Sequence, residues 1–398
     1  MARRFAATLA LLLALAGCDD ARTRALDGVR FDTLARGAVA VHNPVEGSWN
    51  RTGAPPWSLV EDLRLGAVDG TGPEVFGSVS GVVPIGDTLI WVYDRQSAEL
   101  RAFDSTGSHL TTVGRSGEGP GEFGPYGCAH AAPDDEIWVE SQGRWQRFAA
   151  DGRRLGGWLA WRNFNCGPVL WADGTVFTGS SEFGPDLTST QFLVRQRIEP
   201  DGSWSPVDTL PYPATPPYHL FRWSEGGRTL MSNVVPYRPR PGAVPQRATG
   251  RYLVTAGDGY RFLEVGIDGD TTLAIERDFS PVPLSQATRD SAIAALDLPR
   301  LGMPDDFDAD RIPREHPPFT RMMTADDGSF WIQRTSTDAD RALDVFDAEG
   351  VFLGTLALPS HDGTVSIQRI TGAHLYGVLR DPLGVEFVVR YRIERAES

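Results

Sequence analysis

Apolar and polar positions alternate along most of this chain, in short runs bounded by Asp/Gly turns. DTLIWVYD at 87–94 is followed by LRAFDSTG at 100–107, and the same grammar returns in DEIWVE at 135–140 with WQRFAADG at 145–152. A third copy reads DGSFWIQ at 327–333 with LDVFDAEG at 343–350. Fainter copies are DGTVF at 173–177 with IEPDG at 198–202, and RYLVT at 251–255 with VGIDG at 265–269. Period-two alternation with β-branched and aromatic residues, punctuated by turn residues, predicts strands and an all-β architecture.

The unit of roughly 45 residues corresponds to one four-stranded propeller blade. A lone sheet of that size leaves apolar faces wet, so blades must pack in sequence. Six units are predicted, at 77–113, 124–161, 164–210, 243–279, 317–358 and 363–395. Trp91, Trp138, Phe177 and Trp331 are expected to fill the gaps between neighbours. The sixth unit has three strands, Val365–Ile370, Leu375–Leu379 and Val385–Arg392, and Leu59–Leu65 is expected to supply the fourth. Joining the chain's ends in this way removes the open edges of a linear array. Two insertions interrupt the series. Residues 211–242 are rich in Pro and aromatics, while 280–316 hold the one strongly helical stretch, Ser285–Leu296, with Ser285 as N-cap.

The N-terminus carries an address. Arg3 and Arg4 precede the apolar run Phe5–Ala16, too short to span a bilayer, which ends in Leu15-Ala16-Gly17-Cys18. This resembles a bacterial lipoprotein signal, with Cys18 as the lipid acceptor; the ordinary secretory peptide is the alternative. The organisation expected is a signal peptide at 1–17, a lipidated flexible tether at 18–56, and a propeller at 57–398. The location expected is the cell envelope, outside the cytoplasm, with the membrane leaflet left open.

Composition narrows the partners. The formal net charge is −14, against nucleic acid as ligand. All 38 basic residues are Arg, so Lys-dependent chemistry is excluded: a P-loop, a Schiff base, a Ser-Lys hydrolase. Beyond Cys18 there are two cysteines, Cys128 and Cys166. They lie nine residues before Ile137 and ten before Val176, at similar positions on the inner strands of adjacent blades. An oxidising compartment favours a Cys128–Cys166 disulfide, with two buried free thiols as the alternative.

The stretch Gly114-Arg115-Ser116-Gly117-Glu118-Gly119-Pro120-Gly121-Glu122-Phe123 resembles the blade junction of bacterial six-bladed β-propeller lipoproteins, and the chain is similar to the NHL-repeat group more broadly. The resemblance covers about 57–395 and implies architecture rather than activity. The junction reads as a sharp turn anchored by Phe123, with an anion-binding nest assisted by Arg115 as the functional alternative. Some NHL-type propellers hold zinc in the channel, but the seven histidines form no ligand pair of the required spacing. Glu140, Asn165 and Asp186 show no calcium pattern distinct from surface turns. There is no Gly-x-Ser-x-Gly elbow. No catalytic residue, metal site or cofactor is assigned.

The reading is therefore a monomeric, membrane-tethered binding or scaffold module for a glycan, peptide or envelope protein. Channel-mouth candidates are His130, Asn165, Arg222, His316 and Arg321, with Tyr218 and Trp223 for stacking. The competing class is a metal-dependent hydrolase or lyase with its site in the central channel.

Overall fold

The computed structural model describes residues 24–395 except 27, 54–55, 160–168, 171–174, 184–188, 200–202, 212–220, 226–227, 233–234, 240, 247, 267, 296–309, 311 and 336–341. In chain order the elements begin with β1 (Arg24–Leu26), β2 (Val29–Thr33), β3 (Val39–Asn43), a one-turn helix α1 (Ser48–Thr52) and β4 (Ser58–Leu65). A first meander follows: β5 (Val79–Ile85), β6 (Leu89–Asp94), β7 (Glu99–Asp104) and β8 (His109–Val113). The second is β9 (Gly127–Ala131), β10 (Ile137–Ser141), β11 (Arg144–Phe148) and β12 (Arg154–Leu159). The third is β13 (Val169–Leu170), β14 (Val176–Phe183), β15 (Ser189–Ile198) and β16 (Trp204–Pro211), followed by a hairpin of β17 (Phe221–Glu225) and β18 (Arg228–Ser232).

The fourth meander is β19 (Gly242–Gln246), β20 (Arg251–Thr255), β21 (Arg261–Val265) and β22 (Thr271–Arg277), after which comes helix α2 (Gln286–Ala294). The fifth is β23 (Phe319–Thr324), β24 (Phe330–Arg334), β25 (Ala342–Phe346) and β26 (Phe352–Ala357). The chain closes with β27 (Thr364–Ile370), β28 (His374–Arg380) and β29 (Glu386–Glu394). The described residues thus form five four-stranded sheets, one seven-stranded sheet and a two-stranded hairpin. The protein is all-β, and this succession is consistent with a β-propeller.

The apolar alternation on each strand is used between sheets. Trp91, fully buried, donates its indole N–H to Ala150 O at 3.0 Å and so ties the first sheet to the second. It packs with Val83, Ala129, Ile137 and Phe148. Val82, Val92 and Phe103 of the first sheet meet Tyr376, Val378 and Val388 of the last. Trp331 of the fifth sheet packs on Ile367, Leu375 and Val389 of the last. Trp138 joins Trp145 and Val176 between the second and third. Each buried aromatic contributes about 2–3 kcal/mol of transfer free energy. The side chain of Phe177 lies outside the described residues.

First strands of successive sheets also touch. Ser80 Oγ donates to Gly127 O at 2.7 Å, Thr324 Oγ1 to Pro245 O at 2.7 Å, and Arg321 Nη1 to Ile367 O at 2.6 Å. Ala325 and Ile370 form a parallel bridge. The expected pairing of the chain's ends is present: β4 runs antiparallel to β29, with Ile393 opposite Leu59 and Val388 opposite Leu65. Ser285 caps α2 as expected, its hydroxyl accepting the Thr288 amide at 3.0 Å.

Within the tether expected at 18–56, the described residues from 28 to 53 pack against the sheets. VRFDT at 29–33 and VAVHN at 39–43 alternate as strands, and β3 pairs in parallel with β22, with β2 and β1 outside it. Asn43 is 3 % exposed. Its amide nitrogen donates to Gly350 O at 2.9 Å, and its amide oxygen accepts the Phe352 N–H at 2.8 Å. From there the chain crosses β26. A Cβ at Gly354 would lie 2.3 Å from Trp49 Cε3, so only glycine admits the indole. Trp49 then stands 5.7 Å from Trp57, and Trp57 6.1 Å from Trp331. This stretch is a packed strap. Its Arg- and Asp-rich composition hid the alternation.

Candidate functional site

The junction loop 114–123 links the first sheet to the second, and its glycines have specific work. Gly114 has φ +91°, and a Cβ there would fall 2.2 Å from the ring of Phe123, which is fully buried. The loop closes on itself through Phe123 N–H to Arg115 O at 2.8 Å and Gly117 N–H to Phe123 O at 3.0 Å. The Glu122 carboxylate accepts the Gly119 N–H at 2.8 Å and pairs with Arg115 at 2.7 Å. The Gly119 amide, followed by Arg115, holds the Glu122 carboxyl below its ordinary range. Gln146 fixes the far end, accepting from the Gly121 N–H at 2.6 Å and donating to Glu122 O at 2.7 Å. Pro120 and Glu118 lie exposed on the loop's outer side. The Gly119 donor is thus met by the loop's own acid, an arrangement favouring the turn reading over an anion nest.

Beside this loop opens a pocket of about 470 Å³, lined by Arg95, Glu118, Tyr126, Glu140, Gln142 and Arg144, with Leu159 at its edge. Local sequence explains the placement. Arg95 follows the last residue of β6, and its Nε donates to Ser78 Oγ at 2.8 Å. Gln142 and Gly143, at φ +53° and +72°, make the tight β10–β11 turn that delivers Arg144 to the rim. Tyr126 follows Gly124 and Pro125, where the chain leaves the junction, and is 70 % exposed, as is Leu159. Glu140 is 5 % exposed at the floor. Arg144 forms no ion pair among the described residues. The pocket combines two guanidinium groups, carboxylates of opposite charge, and exposed aromatic and aliphatic faces. Such a wall suits a polar ligand with a flat or apolar part.

The sequence candidates fall elsewhere. His130 is on β9 as expected, opposite Trp138, but its ring is 5.6 Å from that of Trp145, within the aromatic seam between second and third sheets. Arg321 on β23 bridges two inner strands through its bond to Ile367 O. Arg222 and Trp223 lie on β17, opposite Met231 and Leu230 of β18. His316 stands at the foot of the second insertion, its ring 5.2 Å from Tyr237 of the first. Cys18, Asn165, Cys166 and Tyr218 are outside the described residues. His130, His316 and Arg321 sit on different elements with different partners. Tyr126, Arg95 and Arg144 were missed; the available signal was an aromatic just after Gly-Pro, beside two turn-end arginines.

Among the described residues no three His, Cys, Asp or Glu side chains cluster as a metal site, and no helix is long and apolar enough to cross a membrane. No family model matches the chain, and no curated protein does. Solved structures resemble it in outline. A protein described as exported, from Bacteroides fragilis NCTC 9343, is 11% identical, over 89% of this chain and 99% of that one, with a TM-score of 0.46. A member of the DUF4221 family from Bacteroides vulgatus ATCC 8482 is 11% identical, over 85% and 99%, with a TM-score of 0.46. Virginiamycin B lyase from Staphylococcus aureus is 9% identical, over 85% and 100%, with a TM-score of 0.41. At such identities and scores these likenesses carry no residue role to this chain.

Proposed function

We propose that this chain is an extracytoplasmic, lipid-anchored six-bladed β-propeller that binds a glycan or peptide through the pocket between its first and second blades. Six successive meanders, with β4 completing the last, support the blade number and its NHL-like character. The Leu-Ala-Gly-Cys18 sequence supports the anchor. The observation that carries the binding role is the pocket itself, where exposed Tyr126 stands beside Arg95, Arg144 and Glu118. Tyr126 offers a stacking face for a sugar ring or side chain. The two arginines and Glu118 offer complementary points for a zwitterionic peptide or an acidic sugar.

The test uses detergent-solubilised full-length protein, assayed on arrays of cell-wall glycans and envelope peptides. A hit should lose affinity about tenfold or more in Tyr126→Ala and in Arg144→Gln, each a loss of about 1.4 kcal/mol or more. Binding that both variants retain in full sinks the pocket assignment. Mass spectrometry of the N-terminal peptide should find diacylglyceryl on Cys18, and Cys18→Ser should release the protein from membranes. Stoichiometric zinc or calcium in purified protein would instead support the hydrolase or lyase class.

A further inference from the structure

A second cavity, of about 140 Å³, lies where β22 ends and the fifth sheet begins, with Tyr260, Arg277, Phe279, His316, Arg334 and Thr335 in its wall. Behind two of its wall residues, Tyr260 and Arg277, lies a saturated acid. Asp344, fully buried, accepts the Tyr260 hydroxyl at 2.6 Å, the Thr355 hydroxyl at 2.6 Å and Arg277 Nη1 at 2.7 Å. Arg277 itself is 6 % exposed in its side chain. Its guanidinium is clamped over the Phe352 ring at 3.8 Å and the Tyr260 ring at 4.8 Å, while Nη2 donates to Val45 O at 3.1 Å.

What this clamp leaves over is informative. Arg277 Nε, His316 Nδ1 and Thr335 Oγ1 are all buried and have no hydrogen-bond partner. Buried donors are ordinarily satisfied, and three such atoms around one small cavity point to a ligand. Burial lowers the His316 pKa, which keeps the imidazole neutral, so in its Nδ1–H tautomer it donates without adding charge. Arg334, 44% exposed in its side chain, stands at the mouth, with its Nε 3.9 Å from Asp344.

We propose that this cavity binds a small carboxylate anion, received by Arg277, His316, Arg334 and Thr335. The two arginines against one aspartate leave a single positive charge, which matches a monoanion better than a phosphate dianion. The volume corresponds to about five waters at ~30 Å³ each, hence a handful of heavy atoms. Phe279, Val282 and Pro317 supply an apolar wall for a short alkyl end. Two guanidinium groups that can only donate, with an imidazole N–H and a hydroxyl that can donate, favour a carboxylate here.

The test titrates full-length protein in detergent with sodium acetate and with inorganic phosphate, at constant ionic strength, by calorimetry. Acetate should bind saturably, about tenfold or more weaker in Arg334→Gln and in Thr335→Val. Both variants should melt near the wild-type temperature without ligand, because neither side chain carries a strong native contact. Tyr126→Ala should bind acetate normally, which separates this site from the larger pocket. Absence of saturation, saturation by phosphate alone, or wild-type acetate affinity in both variants overturns the proposal.

Discussion

Arg277 on β22 donates to Asp344 on β25 at 2.7 Å, joining the fourth sheet to the fifth through a pair that is 6 % and 0 % exposed in its side chains. The pair survives burial because Asp344 also receives two hydroxyls and Arg277 lies between two rings. Removing one partner strands the other as an uncompensated charge. Asp344→Asn should therefore cost about 3–5 kcal/mol. Replacing both residues with Leu should cost clearly less than that single change. Urea denaturation of the three proteins measures the difference, and a single variant within error of wild type would contradict the network.

The strap is the second point where a small side chain carries a large share of the fold. Asn43 satisfies Gly350 O, in the turn before β26, and Phe352 N, on β26, more than three hundred residues away in sequence. Asn43→Ala leaves both unmet in a dry site, at a cost of about 2–4 kcal/mol. The same substitution in a free tether would change nothing. Chemical denaturation therefore separates the strap from a tether.

Strand positions were legible because turn chemistry and alternation agreed: Asp104, Asp347 and Asp381 each accept amides within their own turns, as an Asp/Gly turn predicts. The Leu59–Leu65 closure was legible for the same reason, an unpartnered alternating strand facing a three-stranded unit. The site was not. Local pattern encodes which face of a strand is apolar, but the pockets arise where turns from neighbouring sheets meet. Arg95 and Arg144 are 49 residues apart, and nothing in either segment marks the other. His130 illustrates the converse, because its strand was right while its partner, Trp145, came from the next-but-one strand. The strap was missed because charged residues on its outward face diluted two short apolar rows.

Stability should depend on pH through Asp347. Desolvation raises its pKa from 3.8 to about 6, although it accepts the Glu349 and Val351 amides at 3.1 and 2.8 Å. The folded state therefore holds the proton more tightly than the unfolded chain. This contribution is complete below the unfolded pKa and fades as pH rises through about 6. Asp347→Asn keeps the acceptor oxygen and removes the charge. Because the residue is half-buried, the gain at neutral pH should be only about 1 kcal/mol, with little change near pH 4. Denaturation midpoints at the two pH values give the answer, and an equal effect at both would refute it.

Cys128 lies 3 % exposed on β9, at the edge of the larger pocket. Its proposed bridge to Cys166 would pin the second sheet to the third across a loop of about 40 residues, which the chain-entropy argument values at about 4 kcal/mol. Intact-mass measurement under denaturing alkylation, without reductant, should find neither thiol modified. After reduction, two further alkyl groups should appear and the melting temperature should fall. Because Cys128 also lines the pocket, reduction should loosen the floor beneath Tyr126 and weaken ligand binding along with stability. Two thiols alkylated in the unreduced protein would refute the bridge and leave Cys128 as a buried thiol on β9.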